Sequence, residues 1–260
     1  MNEQGRGVNI TTGFHKLNNY IGGGFYPDYI ILAARPKQGK TALAVTMATY
    51  ELENDHTVGY ISIEPTRKEI INRILAQKSK INLLHFRDGK FTQDEWQRLA
   101  TWHSRISTWK LFIEDVRPGI PVDDVVRRCR LMKKKGVEII YIDQLSKIDG
   151  KGKSSYDKAS YACDILSAMP QELGIPIVLI NQINREAVKN GDWQPQLHHL
   201  KNTGSLEENA DLVLLIYREY EYTHDESKIS DAVIDIAAHR HGPSGIIECG
   251  WTGKFGQFYE

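Results

Sequence analysis

Short, almost unbroken apolar runs punctuate the chain, and several stop on a polar residue. They cover residues 29–33, 57–63 before Glu64, 137–142 before Asp143, 177–180 before Asn181-Gln182, and 211–217. Runs of this length without alternation suit strands of a parallel sheet buried on both faces. Shorter runs at 110–113, 232–237 and 246–249 bring the expected total to about eight strands. Between the early strands the apolar residues recur at helical spacing instead. Leu17, Tyr20 and Ile21 form one such group, ended by the turn Gly22-Gly23-Gly24. A helix over 40–54 follows the first strand. Ile70, Ile71, Ile74 and Leu75 lie behind a Thr66/Glu69 capping box, and Trp96, Leu99, Trp102 and Ile106 behind a second at Thr92/Glu95. Val125, Val126, Cys129 and Met132 mark a helix from Pro121 to Gly136, and a further helix spans 156–173. Strands alternating with helices predict an α/β fold with a mostly parallel central sheet flanked by helices. The crowded last strands predict antiparallel pairing at the C-terminal end. No repeat or linker divides the chain, so residues 1–260 are expected to form a single domain, with residues 1–10 flexible. At helical spacing Trp96 and Trp102 are expected in the core rather than stacked on bases.

Composition narrows the class only a little. The chain of 260 residues is 41% hydrophobic and 25% charged, an ordinary globular balance. It holds no apolar run of 18 residues, so a membrane helix is not expected, and its N-terminus lacks the apolar core of a signal peptide. Cys129, Cys163 and Cys249 stand far apart and read as structural thiols of a reducing compartment, which points to the cytoplasm. His198-His199 has no cysteine nearby to complete a zinc site. Lysine plus arginine and aspartate plus glutamate are equal at 33 each, which neither indicates nor removes a polyanion partner, because a cleft can concentrate charge.

The chemistry is concentrated where the first apolar run ends. Ala33-Ala34-Arg35-Pro36-Lys37-Gln38-Gly39-Lys40-Thr41 leads from a strand into a helix, the P-loop arrangement in which loop amides and the helix N-terminus face phosphate oxygens. Arg35, Pro36, Lys37, Gln38, Gly39, Lys40, Thr41 and Ala42 are therefore the candidate ATP-binding set. Lys40 would reach the terminal phosphates, and the Thr41 hydroxyl would ligate Mg²⁺. Ala34 stands where the usual pattern has its first glycine. Asp143, ending an apolar strand downstream, has the Walker B position and joins Thr41 as a metal candidate. Glu64, at another strand end, lies beside the nucleotide if its strand neighbours the P-loop strand. Gln182 is open to two readings, a γ-phosphate or water contact and a structural amide. Residues 150–155 read as a mobile loop. The long polar stretch 183–204, with Arg185, Lys201, Asn202 and Gly204, is expected to bind a ligand or to be disordered.

Together these residues resemble the RecA-like ATPases, and within them the motor domain of the DnaB-type replicative helicases. Four stretches carry the closer likeness: Thr12-Gly13-Phe14; the variant P-loop from Ala34 to Thr41; Gly204 to Asp211; and His239-Arg240-His241-Gly242-Pro243-x-Gly245. The resemblance runs from about residue 11 to the end and makes Ala34 an expected feature. It implies a RecA-like P-loop NTPase fold and a motor that moves 5′ to 3′ on single-stranded DNA, hydrolysing ATP with Mg²⁺ at the subunit interfaces of a homo-hexameric ring. By that likeness Glu64 is the catalytic base, Lys40 and Gln182 contact the γ-phosphate, and Arg240 is an arginine finger entering a neighbour's site. Lys201, Asn202, Thr203 and Gly204 grip the DNA backbone, with Arg185 in the same loop. A primase or a helicase loader is an implied partner. Ala238 replaces a lysine that the family often has, and no N-terminal collar domain is expected in this chain. A recombinase- or KaiC-type ATPase, forming filaments or rings without unwinding, is the alternative.

Overall fold

The computed structural model describes residues 9–183, 194–203 and 206–260, giving backbone alone at 201–203. A short helix, α1 (His15–Tyr20), precedes the first core strand, β1 (Tyr29–Ala34), and the helix after the P-loop, α2 (Lys40–Glu53). Then come β2 (Val58–Ser62), α3 (Arg67–Ser79), α4 (Leu83–Asp88), α5 (Gln93–Ile106), β3 (Leu111–Asp115) and β4 (Ile120–Pro121). The middle of the chain forms α6 (Val122–Lys134), β5 (Ile139–Asp143), β6 (Ile148–Asp149), α7 (Ser155–Ser167), α8 (Met169–Leu173) and β7 (Ile177–Gln182). A 3₁₀ turn (Leu197–Thr203) and α9 (Leu206–Asn209) lead to β8 (Leu212–Tyr217), α10 (Tyr220–Thr223), β9 (Asp231–His239), β10 (Gly245–Thr252) and β11 (Gln257–Tyr259).

Nine strands form one sheet in the order β11-β10-β9-β8-β1-β7-β5-β2-β3, and β4 pairs with β6 separately. From β8 to β3 every pairing is parallel, whereas β9, β10 and β11 are added antiparallel. The expected architecture is thus observed, with β11 and the β4–β6 pair beyond the eight strands anticipated. Those three strands are too short to carry a periodic signal of their own, at three and two residues.

The continuous apolar runs are explained by burial on both faces. In β1, Ile30, Leu32 and Ala34 join a core with Leu43 and Met47 of α2 and Ile74 of α3. Tyr29, Ile31 and Ala33 point the other way, into a core with Val125 of α6 and Leu166 of α7. Both capping boxes are formed, at Thr66 with Glu69 and at Thr92 with Glu95, so each side chain satisfies an N-terminal amide of its helix. The expected helix 156–173 is divided at Ala168, with Pro170 in the first turn of α8. Trp96 is a correction. It is 51% exposed and packs against Phe91 at 4.9 Å, because α5 covers the sheet with one narrow face only. Trp102 lies partly buried against the core as expected. Among the thiols, Cys129 and Cys163 are buried and Cys249 is half-buried.

Candidate active site

Parallel pairing brings the carboxyl ends of several strands to one edge. In register, Ala34 lies beside Gln182, Ile180 beside Asp143, and Asp143 beside Ser62. The P-loop, Gln182, Asp143 and Glu64 therefore share this edge, where α/β sheets place ligands. One condition of the sequence reading fails. The strand ending at Glu64 is not next to the P-loop strand; β7 and β5 lie between them. Glu64 instead meets the site through β5, its amide donating to the Asp143 carbonyl at 3.2 Å.

Ala34 closes β1 in extended pairing, where a methyl group costs nothing. The left-handed conformations come later, at Lys37 (φ 68°) and Gly39 (φ 96°). A Cβ on Gly39 would also come within 2.9 Å of the Phe258 ring, so both backbone and space demand glycine there. The loop tip is clamped from β8. The Arg218 amide donates to Gln38 Oε1 at 2.5 Å, and Gln38 Nε2 donates back to the Arg218 carbonyl at 3.4 Å. The buried Arg218 guanidinium lies 4.3 Å from the Trp251 ring centre and pairs with Glu221 at 2.9 Å.

Asp143 is the electrostatic centre. It is only 1% exposed, and accepts hydrogen bonds from Thr41 Oγ1 at 2.7 Å and Tyr60 Oη at 2.9 Å. Burial pushes its carboxyl up to about 6, against the pull of Thr41, Tyr60, Lys40 and Arg73 toward the ionised form. Lys40 is also buried, and its ammonium falls to about 8, because desolvation outweighs the attraction of Asp143. Its Nζ turns to the Arg35 carbonyl at 3.5 Å. Both groups are thus held short of full solvation, an arrangement that a polyanion with a dication would relieve. The residues fit Mg²⁺: a hydroxyl and a carboxylate, oxygen donors only, lie side by side at the head of α2. A cavity of about 360 Å³ opens here, lined by Lys40, Thr41, Arg73, Leu83, Trp251 and Gly256 among others. Its outer wall is the β10–β11 hairpin, docked by the Gln77 side chain on the Gly256 carbonyl at 2.8 Å and by the Leu83 amide on Lys254 at 3.0 Å.

The Glu64 carboxylate is 60% exposed and pairs with Lys147 at 3.0 Å. Gln182 is half-buried and lines a second cavity, with Asn181, on the far side of β7 from β1. Arg240 lies elsewhere. It follows β9, whose His239 pairs with Leu212 at the start of β8, and Leu212 pairs with Ile30 at the start of β1. Arg240 is therefore at the amino edge of the parallel strands, opposite its own P-loop. There it pairs with Asp211 at 2.5 Å and donates to the Glu208 carbonyl at 3.3 Å. Of the expected DNA contacts, Lys201, Asn202 and Thr203 fall on the 3₁₀ turn, whereas Arg185 and Gly204 lie outside the described residues. Tyr60, Arg73, Arg218 and Trp251 are site residues that sequence reasoning missed. Tyr60 looked like one more apolar strand residue, and the others come from elements far away in sequence.

The fold and the P-loop edge define a RecA-like α/β protein. The profile of the DnaB-like helicase C terminal domain matches residues 9–260, and the chain belongs to that family. Its sequence is 31% identical to the replicative DNA helicase DnaB of Geobacillus stearothermophilus and 30% identical to the replicative helicase DnaC of Bacillus subtilis, over 99% of the chain. The chain spans 58% of the length of each of these relatives. Among solved structures, an isolated ATPase domain superposes with a TM-score of 0.91 at 27% identity, over 99% of this chain and 93% of that one. A DnaB-like replicative helicase, studied for its interactions with primase, superposes with a TM-score of 0.90 at 27% identity, over 99% of this chain and 63% of the other. A KaiC-like protein of Pyrococcus horikoshii reaches a TM-score of 0.63 at 14% identity, a likeness of fold alone.

Proposed function

We propose that this chain is the motor of an ATP-driven 5′ to 3′ DNA helicase, working as a homo-hexameric ring on single-stranded DNA during replication. One observation carries the reading: the phosphate cradle and Arg240 lie on opposite edges of the same parallel sheet. A β1 of six residues spans about 20 Å at the usual rise per residue, so Arg240 does not serve its own P-loop. A head-to-tail ring, which presents one edge of each subunit to the other edge of the next, gives the residue a site to complete.

In this site Lys40 and the loop amides bind and orient the β- and γ-phosphates of ATP. Thr41 and Asp143 would hold Mg²⁺, which supplies charge neutralisation on the transferring phosphoryl group. Glu64, exposed at the rim, takes the proton from the attacking water. Gln182 stands near the γ-phosphate position, and Arg240 of a neighbouring subunit stabilises the developing charge. Trp251 and the β10–β11 hairpin bound the base end of the nucleotide. Lys201, Asn202, Thr203 and Gly204, with Arg185, contact the DNA backbone. Primase or a loader is a further partner of the assembled ring, and the cytoplasm is its place of action. Within the described residues no helix is long and apolar enough to cross a membrane. A recombinase- or KaiC-type role is not favoured, because the family match spans residues 9–260 while the KaiC-like similarity stops at the fold.

Steady-state ATP hydrolysis with and without a poly-dT strand tests the reading. The strand is expected to raise the rate, and a forked duplex to be opened in the same mixture. Equal hydrolysis with and without DNA refutes the motor.

A further inference from the structure

The proposed base is not free. Glu64 Oε2 is bound at 3.0 Å by Lys147 Nζ, and both side chains reach solvent, at 60% and 36% exposure. A carboxylate whose lone pairs face an ammonium is a poor acceptor for a water proton. Lys147 comes from the 3₁₀ turn Leu145–Lys147, which begins two residues after Asp143 and is held by its carbonyl, accepting from the Gly119 amide at 2.8 Å. The backbone is thus anchored while the side chain is free to choose its partner.

Lys147 also borders the second cavity, of about 460 Å³, formed by β6, the start of α7 and the end of β7. Its polar lining is dominated by donors: Lys147, Lys158, Ser146, Ser155, Asn181 and Gln182, with a single carboxylate, Asp149, already tied to Lys158 at 2.8 Å. Asn181 gives an independent sign of a ligand. Its side chain is 1% exposed, yet its Nδ2 has no hydrogen-bond partner among the described residues. A buried amide donor left unmade is costly, about 1–3 kcal/mol in mutational series, and so calls for an acceptor. Ammonium groups, hydroxyls and an amide donor together select an anion with several oxygens. The 3₁₀ turn Leu197–Thr203, proposed above to contact DNA, packs on α7, so one strand can run from that turn to the cavity mouth.

We infer that this cavity takes a phosphodiester group of the single strand, and that Lys147 is a latch which it draws away from Glu64. Without the strand Lys147 neutralises the base. With the strand, Lys147 turns to the phosphate and Glu64 is released to accept the water proton. Lys147 is then a positioning residue through which DNA stimulates hydrolysis. The inference rests on the proposed role of Glu64.

Hydrolysis by the wild-type chain, Lys147→Ala, Lys147→Arg and Asn181→Leu is measured over a titration of oligo-dT, with inorganic phosphate as a separate arm. Lys147→Ala should raise the DNA-free rate about two- to five-fold, the range an exposed ion pair supports, and reduce the stimulation ratio accordingly. Lys147→Arg should keep the DNA-free rate low, separating lost charge from altered fold. Asn181→Leu should raise the oligo-dT concentration needed for half-stimulation. A DNA-free rate in Lys147→Ala at or below wild type overturns the latch. Inorganic phosphate that stimulates as oligo-dT does overturns the strand as ligand. A wild-type rate indifferent to oligo-dT defeats the motor reading instead, while derepression in Lys147→Ala would still report the latch.

Discussion

Replacing Tyr60 by phenylalanine isolates one term in the electrostatics of the site. The hydroxyl donates to Asp143 at 2.9 Å, and the ring stacks on Tyr141 at 5.8 Å, so phenylalanine keeps the packing and removes only the hydrogen bond. Asp143 already sits at about 6 because burial outweighs its partners. A hydrogen bond to a charged group contributes roughly 1.5 kcal/mol or more, and 1.36 kcal/mol is one pKa unit, so the variant carboxyl should rise by about one unit. The direction follows from the donor stabilising the ionised form, which its loss disfavours. The profile of kcat/KM against pH reports the free enzyme. Wild type should lose activity below about 6 as Asp143 protonates, and above about 8 as Lys40 loses its proton. In Tyr60→Phe the acid limb should move to about 7, lowering kcat/KM at pH 6.5 by about threefold, while the alkaline limb stays. An acid limb that does not move in the variant would refute the assignment of that limb to Asp143 and of its tuning to Tyr60.

Two further outcomes test the interface and the core. Arg240→Ala should bind ATP but not turn it over, with a loss of about 10³-fold or more expected for an arginine finger. Mixed with Glu64→Gln protein it should regain hydrolysis, since about one interface in four of a randomly mixed closed ring joins an intact base to an intact finger; mixtures as inactive as the parents would exclude a shared site. Glu51, fully buried in α2, accepts from Tyr141 Oη at 2.6 Å, and burial raises its carboxyl from 4.5 to about 8. The folded state then holds a proton that the unfolded chain has released, so this group's contribution is greatest at low pH and falls as pH rises from 4.5 toward 8. Urea titrations should show wild type losing roughly 2 kcal/mol relative to Glu51→Gln between pH 5 and pH 7. Parallel stability curves would place the ionised carboxylate in the native core.

The linear order of residues carried the local pieces well. Strand, P-loop and helix were legible because the phosphate cradle is one continuous stretch, Ala34 to Thr41, and the acid of β5 because a doubly buried strand leaves an unbroken apolar run. The capping boxes at Thr66 and Thr92 were legible for the same reason, since they act over three residues. Trp96 was misplaced because helical spacing shows that an apolar face exists, not how much of it a neighbour covers. The neighbourhood of Glu64 was misjudged because strand order is not written in any one strand; β7 and β5 were inserted between β2 and β1 by crossovers tens of residues long.

Which side chains meet was decided by the tertiary structure. Tyr60 reaches Asp143 only because β2 pairs with β5 in register, and Arg218 meets Gln38 and Trp251 only because three separated segments converge. The same pairing put Arg240 at the edge away from its own P-loop, although both lie in motifs that sequence alone identifies. Short-range hydrogen bonding and the burial period act between neighbours in sequence, and residue order therefore determines them. Desolvation, strand order and the distance between two edges are properties of the packed whole, and those set the charge state of Asp143 and Lys40 and the direction Arg240 faces.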